Sequence, residues 1–314
     1  MNRYRFMNCL MRLLSIGIWI YSWIWHSVRA TPVVVATYNV ENFHIRPYGN
    51  RPVKSEASRA KVAEVILAIR PDIIAIQEMG ELVAFESLQE TLRGGGLSLP
   101  FREHLGGSDT NIFVAILSRF PILSKYPHTN DGFVLDGRRF HCSRSTIEVV
   151  IDVDGRHRLT VLTTHLKSKR PVPFADEAEL REQEARILRE HVDALMANHS
   201  SEPFIVCGDF NDTPASKPIR LLMATGRRAL FDPRPAEMGH VIPTGSEPEK
   251  EERRITWTHF YPVDDTYSRI DYLLMSRSLR PFWIPEKSYV FAGPNWGEAS
   301  DHRPVVCTFD FDKN

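Results

Sequence analysis

The sequence predicts an α/β fold in which two packed β-sheets carry helices on their outer faces. Strand patterns outnumber helical patterns, and the helical patterns are scattered among the strands. The length of 314 residues allows one large domain or two ordinary ones and is ample for a sizeable core. The composition, 43% hydrophobic with 39 basic residues, 39 acidic residues and 4 cysteines, excludes a disordered chain, a collagen-like repeat and a small disulfide scaffold.

The first thirty residues have the layout of a secretory signal peptide. Three arginines precede or border the apolar run Leu13–Trp25, and a Val-Arg-Ala site follows at 28–30. This run is shorter than the roughly 20 apolar residues of a membrane-spanning helix. We therefore expect a signal peptide over 1–30 and a secreted or periplasmic chain over 31–314, without integral membrane association. An uncleaved N-terminal membrane anchor is the main alternative.

Removal of this segment changes the charge balance of the chain. Residues 1–30 contain four arginines and no acid, so 35 basic residues face 39 acidic ones in the mature chain. A mildly acidic body does not bind polyanions through its overall charge, and any phosphate affinity must come from a local site. The remaining cysteines, Cys142, Cys207 and Cys307, are odd in number, so at most one disulfide forms and buried free thiols are expected.

Strand and helix patterns alternate from residue 33 onward. Val33–Tyr38 is apolar and β-branched, and Ser58–Arg70 has apolar residues at helical spacing. Pro71 ends that helix before the apolar strand Ile73–Ile76. Further strands are predicted at Asn111–Leu117, Ser145–Val153, Leu159–His165, Phe204–Cys207, Ile255–Thr258, Ile270–Met275, Ser288–Phe291 and Val305–Phe309. Further helices are predicted at Leu82–Leu92, Ala178–Met196 and Pro218–Thr225.

Two irregular segments are interpreted as loops. Gly94-Gly95-Gly96 has no Lys-Ser or Lys-Thr after it and no following helix pattern, which favours a turn over a phosphate cradle. The stretch 232–254 is rich in proline and charge and is predicted to form a long surface loop.

Six short polar motifs each lie at a predicted strand end or in the turn beyond it. They are Tyr38-Asn39-Val40-Glu41-Asn42, Gln77-Glu78, Thr164-His165-Leu166-Lys167-Ser168, Gly208-Asp209-Phe210-Asn211, Arg269-Ile270-Asp271-Tyr272 and Ser300-Asp301-His302-Arg303-Pro304. Polar residues at strand ends are typical of a site built on a rigid scaffold. Each motif alone is a weak signal, because a Gly-Asp is usually a turn and a Gln-Glu usually a solvated helix end.

The carboxylates in these motifs are suited to a hard cation. Glu78 directly follows a fully apolar strand, where it presents oxygen ligands of the kind that Mg²⁺ prefers. Asp209 and Asn211 flank Phe210, so in an extended segment their side chains share one face and the phenyl ring takes the other. Glu41 shares a strand face with Asn39, and we interpret it as a charge at the rim, with an outer ligand as the alternative.

The last two motifs combine carboxylates with an imidazole. Asp301 and His302 are adjacent, and at a turn both can border one pocket, the first as a metal ligand and the second as a proton-handling group. Asp271 also follows an apolar residue and could orient that imidazole. Lys167, Lys169 and Arg170 form the strongest local basic cluster, suited to a flanking phosphate, with a solvated loop as the alternative.

Taken together and in this order, the motifs resemble the endonuclease/exonuclease/phosphatase superfamily over about residues 33–310. The resemblance implies a four-layer α/β/β/α sandwich and a metal-dependent phosphoesterase, with Mg²⁺ expected and Mn²⁺ or Ca²⁺ as alternatives. It assigns Asn39, Glu78 and Asp301 to the metal site, and His165, Asp209, Asn211, Asp271 and His302 to catalysis. Arg144, which precedes a predicted strand, resembles the arginine that deoxyribonuclease-like members place near the scissile phosphate.

These assignments predict an exported, Mg²⁺-dependent phosphodiesterase, a deoxyribonuclease-like endonuclease with nucleic acid as substrate and no stable protein partner. The alternative is a sphingomyelinase-like or inositol-phosphate-directed enzyme. An exposed apolar hairpin would favour that alternative, and the sequence contains no strong candidate for one. A non-catalytic binding module is the third hypothesis, which the number of converging polar groups argues against.

Overall fold

Two β-sheets pack face to face in the computed structural model, which describes residues 32–198, 202–239 and 254–312. The predicted signal peptide and most of the predicted loop 232–254 lie outside the described residues. The described residues form one compact unit. Within the described ranges, no helix is long and apolar enough to cross a membrane.

The elements that build the two sheets and the outer layers are as follows. The strands are β1 Val33–Phe43, β2 Ile73–Met79, β3 Phe101–Leu105, β4 Phe113–Ser118, β5 Ile122–His128, β6 Gly132–Leu135, β7 Arg138–His141, β8 Thr146–Asp152, β9 Arg158–His165, β10 Phe204–Asp209, β11 His259–Tyr261, β12 Thr266–Ser268, β13 Asp271–Met275, β14 Trp283–Val290 and β15 Val305–Phe309. The α-helices are α1 Glu56–Ile69, α2 Leu82–Gly94, α3 Glu177–Asn198 and α4 Lys217–Met223.

Both large sheets are mixed. The first has the strand order β14-β15-β1-β2-β4-β3, in which only β1 and β2 run parallel. The second has the order β13-β10-β9-β8-β5, in which only β9 and β10 run parallel. Two hairpins, β6–β7 and β11–β12, project from this framework. The two parallel pairs matter for the site because their carboxyl ends lie at one end of the sandwich.

Three apolar clusters define four layers. The cluster between the sheets includes Val35, Ile73 and Ile205. The helices α1 and α2 pack on the outer face of the first sheet, and α3 and α4 pack on the outer face of the second. The α/β/β/α sandwich expected from the sequence is thus confirmed.

Helix prediction was accurate, because start and stop signals flank the apolar periodicity. Each predicted helix is present with both ends within two residues. Ser55 caps α1 by accepting a hydrogen bond from the Ser58 amide at 3.1 Å, and the helix ends at Arg70 in the left-handed conformation before Pro71. The glycine run at 94–96 is a turn at the end of α2, as predicted. Cys142, Cys207 and Cys307 are free thiols.

Strand prediction failed where burial is incomplete. The predicted strand Ile255–Thr258 is wrong: the chain there is irregular, and pairing begins only at β11. Thr258 instead uses its hydroxyl to accept the amides of Ile270 and Asp271 at 3.1 Å. The edge strands β3 and β5 and both hairpins were missed, because they are short or largely exposed and lack the long apolar run of a buried strand.

Candidate active site

The candidate site lies at the end of the sandwich where β1, β9 and β10 finish. Along β10, Ile205 and Cys207 point into the core between the sheets, and the alternation of the strand places Asp209 on the same side. Asn39 and His165 continue the inward faces of β1 and β9 in the same way. The polar side chains therefore occupy the position where the core between the sheets would otherwise be closed by apolar groups.

A buried polar layer supports the site from below. The Thr37 hydroxyl donates to the Gln77 Oε1 at 3.1 Å, and the Gln77 amide donates to the Thr163 Oγ1 at 3.1 Å. The first bond links neighbouring strands of one sheet, and the second joins the two sheets across the core. Both polar atoms of the buried Gln77 side chain therefore have a protein partner.

Glu78 reaches the site through a local distortion of β2. The pairing register of β2 shifts on both sides of the strand near this residue, and Glu78 has a positive φ of 57°. Such a bulge redirects one side chain. The Glu78 carboxylate accepts the Asn42 amide at 3.0 Å and lies 3.4 Å from the Asn39 Nδ2. Strain of this kind is typical of functional sites.

Asp209 is the centre of the hydrogen-bond network. Its Oδ2 accepts the Asn39 amide at 3.0 Å and lies 3.3 Å from the His165 Nε2, while its Oδ1 accepts the Asn211 backbone amide at 2.9 Å. Burial, with a further contribution from the negative charge of Asp271, raises the pKa of Asp209 to about 7. A carboxylate poised in this way is suited to proton transfer near neutrality.

His302 and Asp271 form an oriented pair. The His302 Nδ1 lies 2.9 Å from the Asp271 Oδ2, so the Nε2 faces Asp209 at 3.9 Å. Burial alone would lower the pKa of His302, but Asp271 and the neighbouring aspartates hold it well above its usual value. The structure thus brings together the imidazole and the carboxylate that the sequence predicted to act as a unit.

The electrostatic environment of His165 is opposite to that of His302. Burial and the positive charge of Arg144 place the pKa of His165 well below its usual value, so this imidazole is neutral. Its Nδ1 is buried and has no hydrogen-bond partner among the described residues. A neutral His165 can donate to a phosphate oxygen without the cost of carrying a buried charge.

Two arginines converge beside His165. Arg144 is buried, and its Nη2 lies 3.3 Å from the Asp109 Oδ2. Arg51, in the loop after β1, lies 4.0 Å from the same carboxylate and donates to the Asn42 Oδ1 at 2.8 Å. The Nε groups of both arginines are buried and unpartnered among the described residues. This pair is a preformed set of donors for an anionic oxygen.

The predicted basic cluster divides into two kinds of residue. Lys167 is buried, and its ammonium donates to the carbonyls of Ser168 and Arg170 at 3.0 and 2.9 Å, so it shapes its own loop. Lys169 is exposed and pairs with Asp212 at 3.4 Å. Arg170 is exposed at the surface. Only Lys169 and Arg170 are therefore placed to meet a flanking phosphate from solvent.

Asp301 lies at the open side of the site. Its carboxylate is 35% exposed, 3.8 Å from the His302 Nε2 and 3.6 Å from the His259 Nε2. The neighbouring Ser300 hydroxyl donates to the Asn39 carbonyl at 2.8 Å and so ties this loop to β1. Glu41, by contrast, is paired with Lys54 at 3.1 Å and remains 45% exposed, consistent with a charge at the rim.

The donor set fits a hard divalent cation. Glu78 and Asp301 offer carboxylate oxygens, and the buried Asn39 offers an amide oxygen that also accepts the Glu41 backbone amide at 3.0 Å. Mg²⁺ is typically held by one or two carboxylates with several waters. Deeper in the site, the Asp271 Oδ1 is buried without a partner among the described residues. Ligand atoms of Asp209, Asp271 and His302 also lie within 4.8 Å of one another.

Sequence reasoning missed four residues that build the site. Arg51 and Asp109 lie in loops without a motif, and His259 lies in a hairpin that was not predicted. Glu184 lies on α3 and accepts the Ser143 and Lys167 amides at 2.7 and 2.6 Å, which fixes both loops beside the arginines. The helical pattern placed Glu184 correctly in α3, but nothing in the sequence identified its partners.

Comparison with known proteins agrees with this geometry. A model of the endonuclease/exonuclease/phosphatase family matches residues 36–302. The chain belongs to this family. Members of the endonuclease/exonuclease/phosphatase family are hydrolytic phosphoesterases and generally depend on a divalent metal. A comparison with curated protein sequences finds no significant match.

Solved structures of the family share the fold at low sequence identity. The human Nocturnin catalytic domain, solved with a bound sulfate anion, has a TM-score of 0.61 at 17% identity and covers 88% of this chain and 94% of its own. Truncated TDP2 from Caenorhabditis elegans has a TM-score of 0.59 at 18% identity, covering 90% and 99%. Sphingomyelinase C from Streptomyces griseocarneus has a TM-score of 0.59 at 18% identity, covering 89% and 99%.

Proposed function

We propose that this protein is an exported, Mg²⁺-dependent phosphodiesterase that cleaves nucleic acid as an endonuclease. The observation that carries the proposal is the convergence, at one end of the sandwich, of a paired His302–Asp271, a buried Asp209 and a neutral His165 beside two arginines. Such a set provides proton transfer on one side of a phosphate and donors on the other.

Each residue has a role that follows from its environment. Asp209 orients the attacking water and accepts its proton, whereas His302, which Asp271 and the neighbouring aspartates hold in the protonated form, is placed to donate a proton. Glu78, Asn39 and Asp301 would hold the metal, which withdraws charge from a phosphate oxygen when bound. His165, Asn211 and Arg144 donate to the remaining oxygens as negative charge develops on them.

The surface beside the arginines favours nucleic acid as substrate. The hairpin β6–β7 leads directly into the segment that carries Arg144 and exposes Arg138 and Arg139. Arg138 lies 3.5 Å from the Phe174 carbonyl, and the Phe174 ring is 54% exposed. Exposed arginines beside an exposed aromatic ring suit a nucleic-acid strand, because the arginines can pair with its phosphates and its bases can stack on the ring.

A substrate panel with purified protein tests this proposal. We expect cleavage of plasmid, linear duplex, single-stranded DNA or RNA, with plasmid nicking as the sign of endonuclease action. Since only a few basic side chains lie near the site, we expect activity to fall only moderately with added salt. The slope of log activity against log salt concentration should correspond to about two or three phosphate contacts, each contributing about 0.7–0.9. Survival of all four nucleic acids while a phospholipid or inositol phosphate is cleaved would overturn the nuclease proposal.

A lipid phosphodiester is the second candidate, and one surface feature favours it. The hairpin β11–β12 exposes Tyr261, Val263 and Tyr267, with Val263 75% exposed. Its first residue, His259, approaches Asp301, so the hairpin borders the site. This hairpin was not predicted from the sequence. Vesicles containing a choline phospholipid, included in the same panel, distinguish the two candidates.

A further inference from the structure

We propose a second metal site in this protein, formed by His128, Asp131 and His191, which binds a transition-metal ion of the Zn²⁺ class. His128 ends β5, Asp131 lies in the turn after it, and His191 lies on α3. One ligand atom from each of these three side chains lies within 4.8 Å of the others. The proposed site is independent of the phosphodiesterase function.

Strand alternation separates this site from the candidate active site. Ile147 and Val149 of β8 belong to the cluster between the sheets, so Glu148, which lies between them, points to the α3 side. His128 pairs with Thr146 in the register of β5 and β8 and shares the face of Glu148. His165, in contrast, points between the sheets, so the two histidines lie on opposite faces of one sheet.

The two imidazoles are arranged as metal ligands with carboxylate support. The His128 Nε2 lies 2.8 Å from the Glu148 Oε2, and the His191 Nε2 lies 2.7 Å from the Asp131 Oδ2. Glu148 thus orients the His128 ring and leaves its Nδ1 for an ion, while the Asp131 Oδ2 and the His191 Nε2 lie side by side, as two ligands of one ion would. A carboxylate that orients an imidazole ligand is a recurring feature of protein metal sites.

The charge of the cluster also suits a divalent ion. The ring centroids of His128 and His191 lie 3.8 Å apart, so one ion is within reach of both side chains. Imidazole binds a metal in its neutral form, so Asp131 and Glu148 bring two negative charges that one divalent ion balances. Imidazole and carboxylate together suit Zn²⁺ or Co²⁺, whereas Mg²⁺ prefers oxygen ligands alone.

An ion can reach the cluster from solvent. A cavity of about 700 Å³ between β5, β8 and α3 is lined by His128, Glu148 and His191, among other residues. The three proposed ligands are each partly exposed, so their side chains can rotate. Ligand atoms of a tetrahedral Zn²⁺ site are about 3.3 Å apart at bond lengths of about 2.0–2.2 Å, so the side chains need only small movements to close around an ion.

The test counts bound Zn²⁺ in the full protein. After removal of metal with a chelator, the protein is dialysed into millimolar Mg²⁺ to fill sites that prefer oxygen ligands, and Zn²⁺ is titrated by calorimetry. We expect His191→Ala and Asp131→Asn each to bind one Zn²⁺ equivalent less than the unmodified chain. Counting the difference keeps any Zn²⁺ held by the active-site histidines out of the result.

His157→Ala is the matched control, since His157 pairs with Asp154 at 2.9 Å but belongs to no group of three possible metal ligands among the described residues. This variant should retain the Zn²⁺ equivalent. Saturating Zn²⁺ should also raise the Tm of the unmodified chain and of His157→Ala by about 4 °C more than it raises the Tm of Asp131→Asn.

Two outcomes would overturn the proposal. The first is equal Zn²⁺ stoichiometry and affinity in the unmodified chain, His191→Ala and Asp131→Asn. The second is loss of the Zn²⁺ equivalent in His157→Ala together with the other variants. Asp131→Asn nearly preserves the shape of the side chain, so it decides the question if His191→Ala fails to fold.

Discussion

Asp209 is the residue through which the two sheets exchange hydrogen bonds at the site. It belongs to the second sheet and accepts a hydrogen bond from Asn39 of the first, a residue 170 positions away. It also lies within 3.3 Å of His165 and 3.9 Å of His302. A single side chain thus sets the relative positions of the groups that we propose to act on water and phosphate.

Replacement of Asp209 by Asn should lower turnover by at least about 10²-fold, because the shape is kept while the proton acceptor is lost. His302→Ala should have an effect of the same order. Steady-state turnover at saturating Mg²⁺ is the measurement, with far-UV circular dichroism to confirm folding. His157→Ala serves as the control. A normal rate in either site variant would remove that residue from the mechanism.

Replacement of Arg144 by Lys should lower kcat/KM by roughly 10- to 10²-fold. Lys keeps the charge but loses the planar fork that can hold two phosphate oxygens, and one hydrogen bond to a charged group contributes about 1.5–3 kcal/mol. The matched control is Arg119→Lys, since Arg119 pairs with Asp72 at the other end of the first sheet. Equal losses in both variants would show that the guanidinium of Arg144 has no special role.

At the residue scale, the sequence predicted the side chains that continue a strand pattern and missed those held by loops. Asn39, His165 and Asp209 follow apolar strands, so alternation places them at the end of the core. Arg51 and Asp109 reach the site from irregular segments, and no periodicity determines where such a segment passes. Lys167 was predicted to face a phosphate, yet its own loop carbonyls bind its ammonium.

At the element scale, the pairing of β9 with β10 determines the geometry of the site. The two strands run parallel with Gly208 opposite Thr164 and Asp209 opposite His165. Gly208 has a φ of 136°, and an added Cβ would lie 2.0 Å from the Thr164 carbonyl oxygen. The glycine before Asp209 is therefore required by close approach of two backbones rather than by a simple turn.

Gly208→Ala should destabilise the fold by about 2–3 kcal/mol, because backbone atoms must move apart to accept the methyl group. The displacement of Asp209 should also lower turnover by more than about 10-fold in the molecules that remain folded. Urea unfolding and turnover at a temperature well below the transition measure the two effects. Gly94→Ala is the control, since an added Cβ there meets no atom within 4 Å. Similar behaviour of the two variants would contradict the proposed close approach.

Elements were predictable from sequence in proportion to their burial. The central strands β2, β9 and β10 are almost fully buried, so their sequences are rich in apolar residues and could be recognised as strands. Partly exposed strands such as β5 lack that signal, and Pro127 within it argues against a strand by local rules. β5 is an edge strand, where a proline is tolerated because one side of the strand needs no partner.

At the scale of the whole molecule, the distribution of charge predicts that hydrolysis of a phosphate ester needs a bound cation. A phosphodiester that enters the site meets Glu78, Asp209 and Asp301 as well as the arginines. Without a divalent ion, these carboxylates would repel the substrate. The acidic balance of residues 31–314 gives no long-range attraction to compensate.

Removal of divalent metal should therefore abolish hydrolysis, and addition of Mg²⁺ should restore it. The experiment is exhaustive chelation and dialysis, followed by an assay with and without added Mg²⁺, Mn²⁺ or Ca²⁺. A parallel measurement of Tm shows whether the metal-free protein is still folded. Undiminished hydrolysis by the metal-free protein would contradict the assignment of Glu78 and Asp301 as metal ligands.

The export prediction concerns the part of the chain that precedes β1. The folded unit begins with β1 at Val33, three residues after the predicted cleavage point, so a processed chain keeps every described element. The basic start, the short apolar run and the Val-Arg-Ala site at 28–30 lead us to expect a mature N-terminus at Thr31. Intact mass spectrometry of the protein recovered outside the cytoplasm measures this directly, with Ala30→Arg as a variant whose processing should be slowed because the cleavage site needs a small residue. Recovery of a chain that still begins at Met1 and sediments with membranes would show that the apolar run acts as an anchor instead.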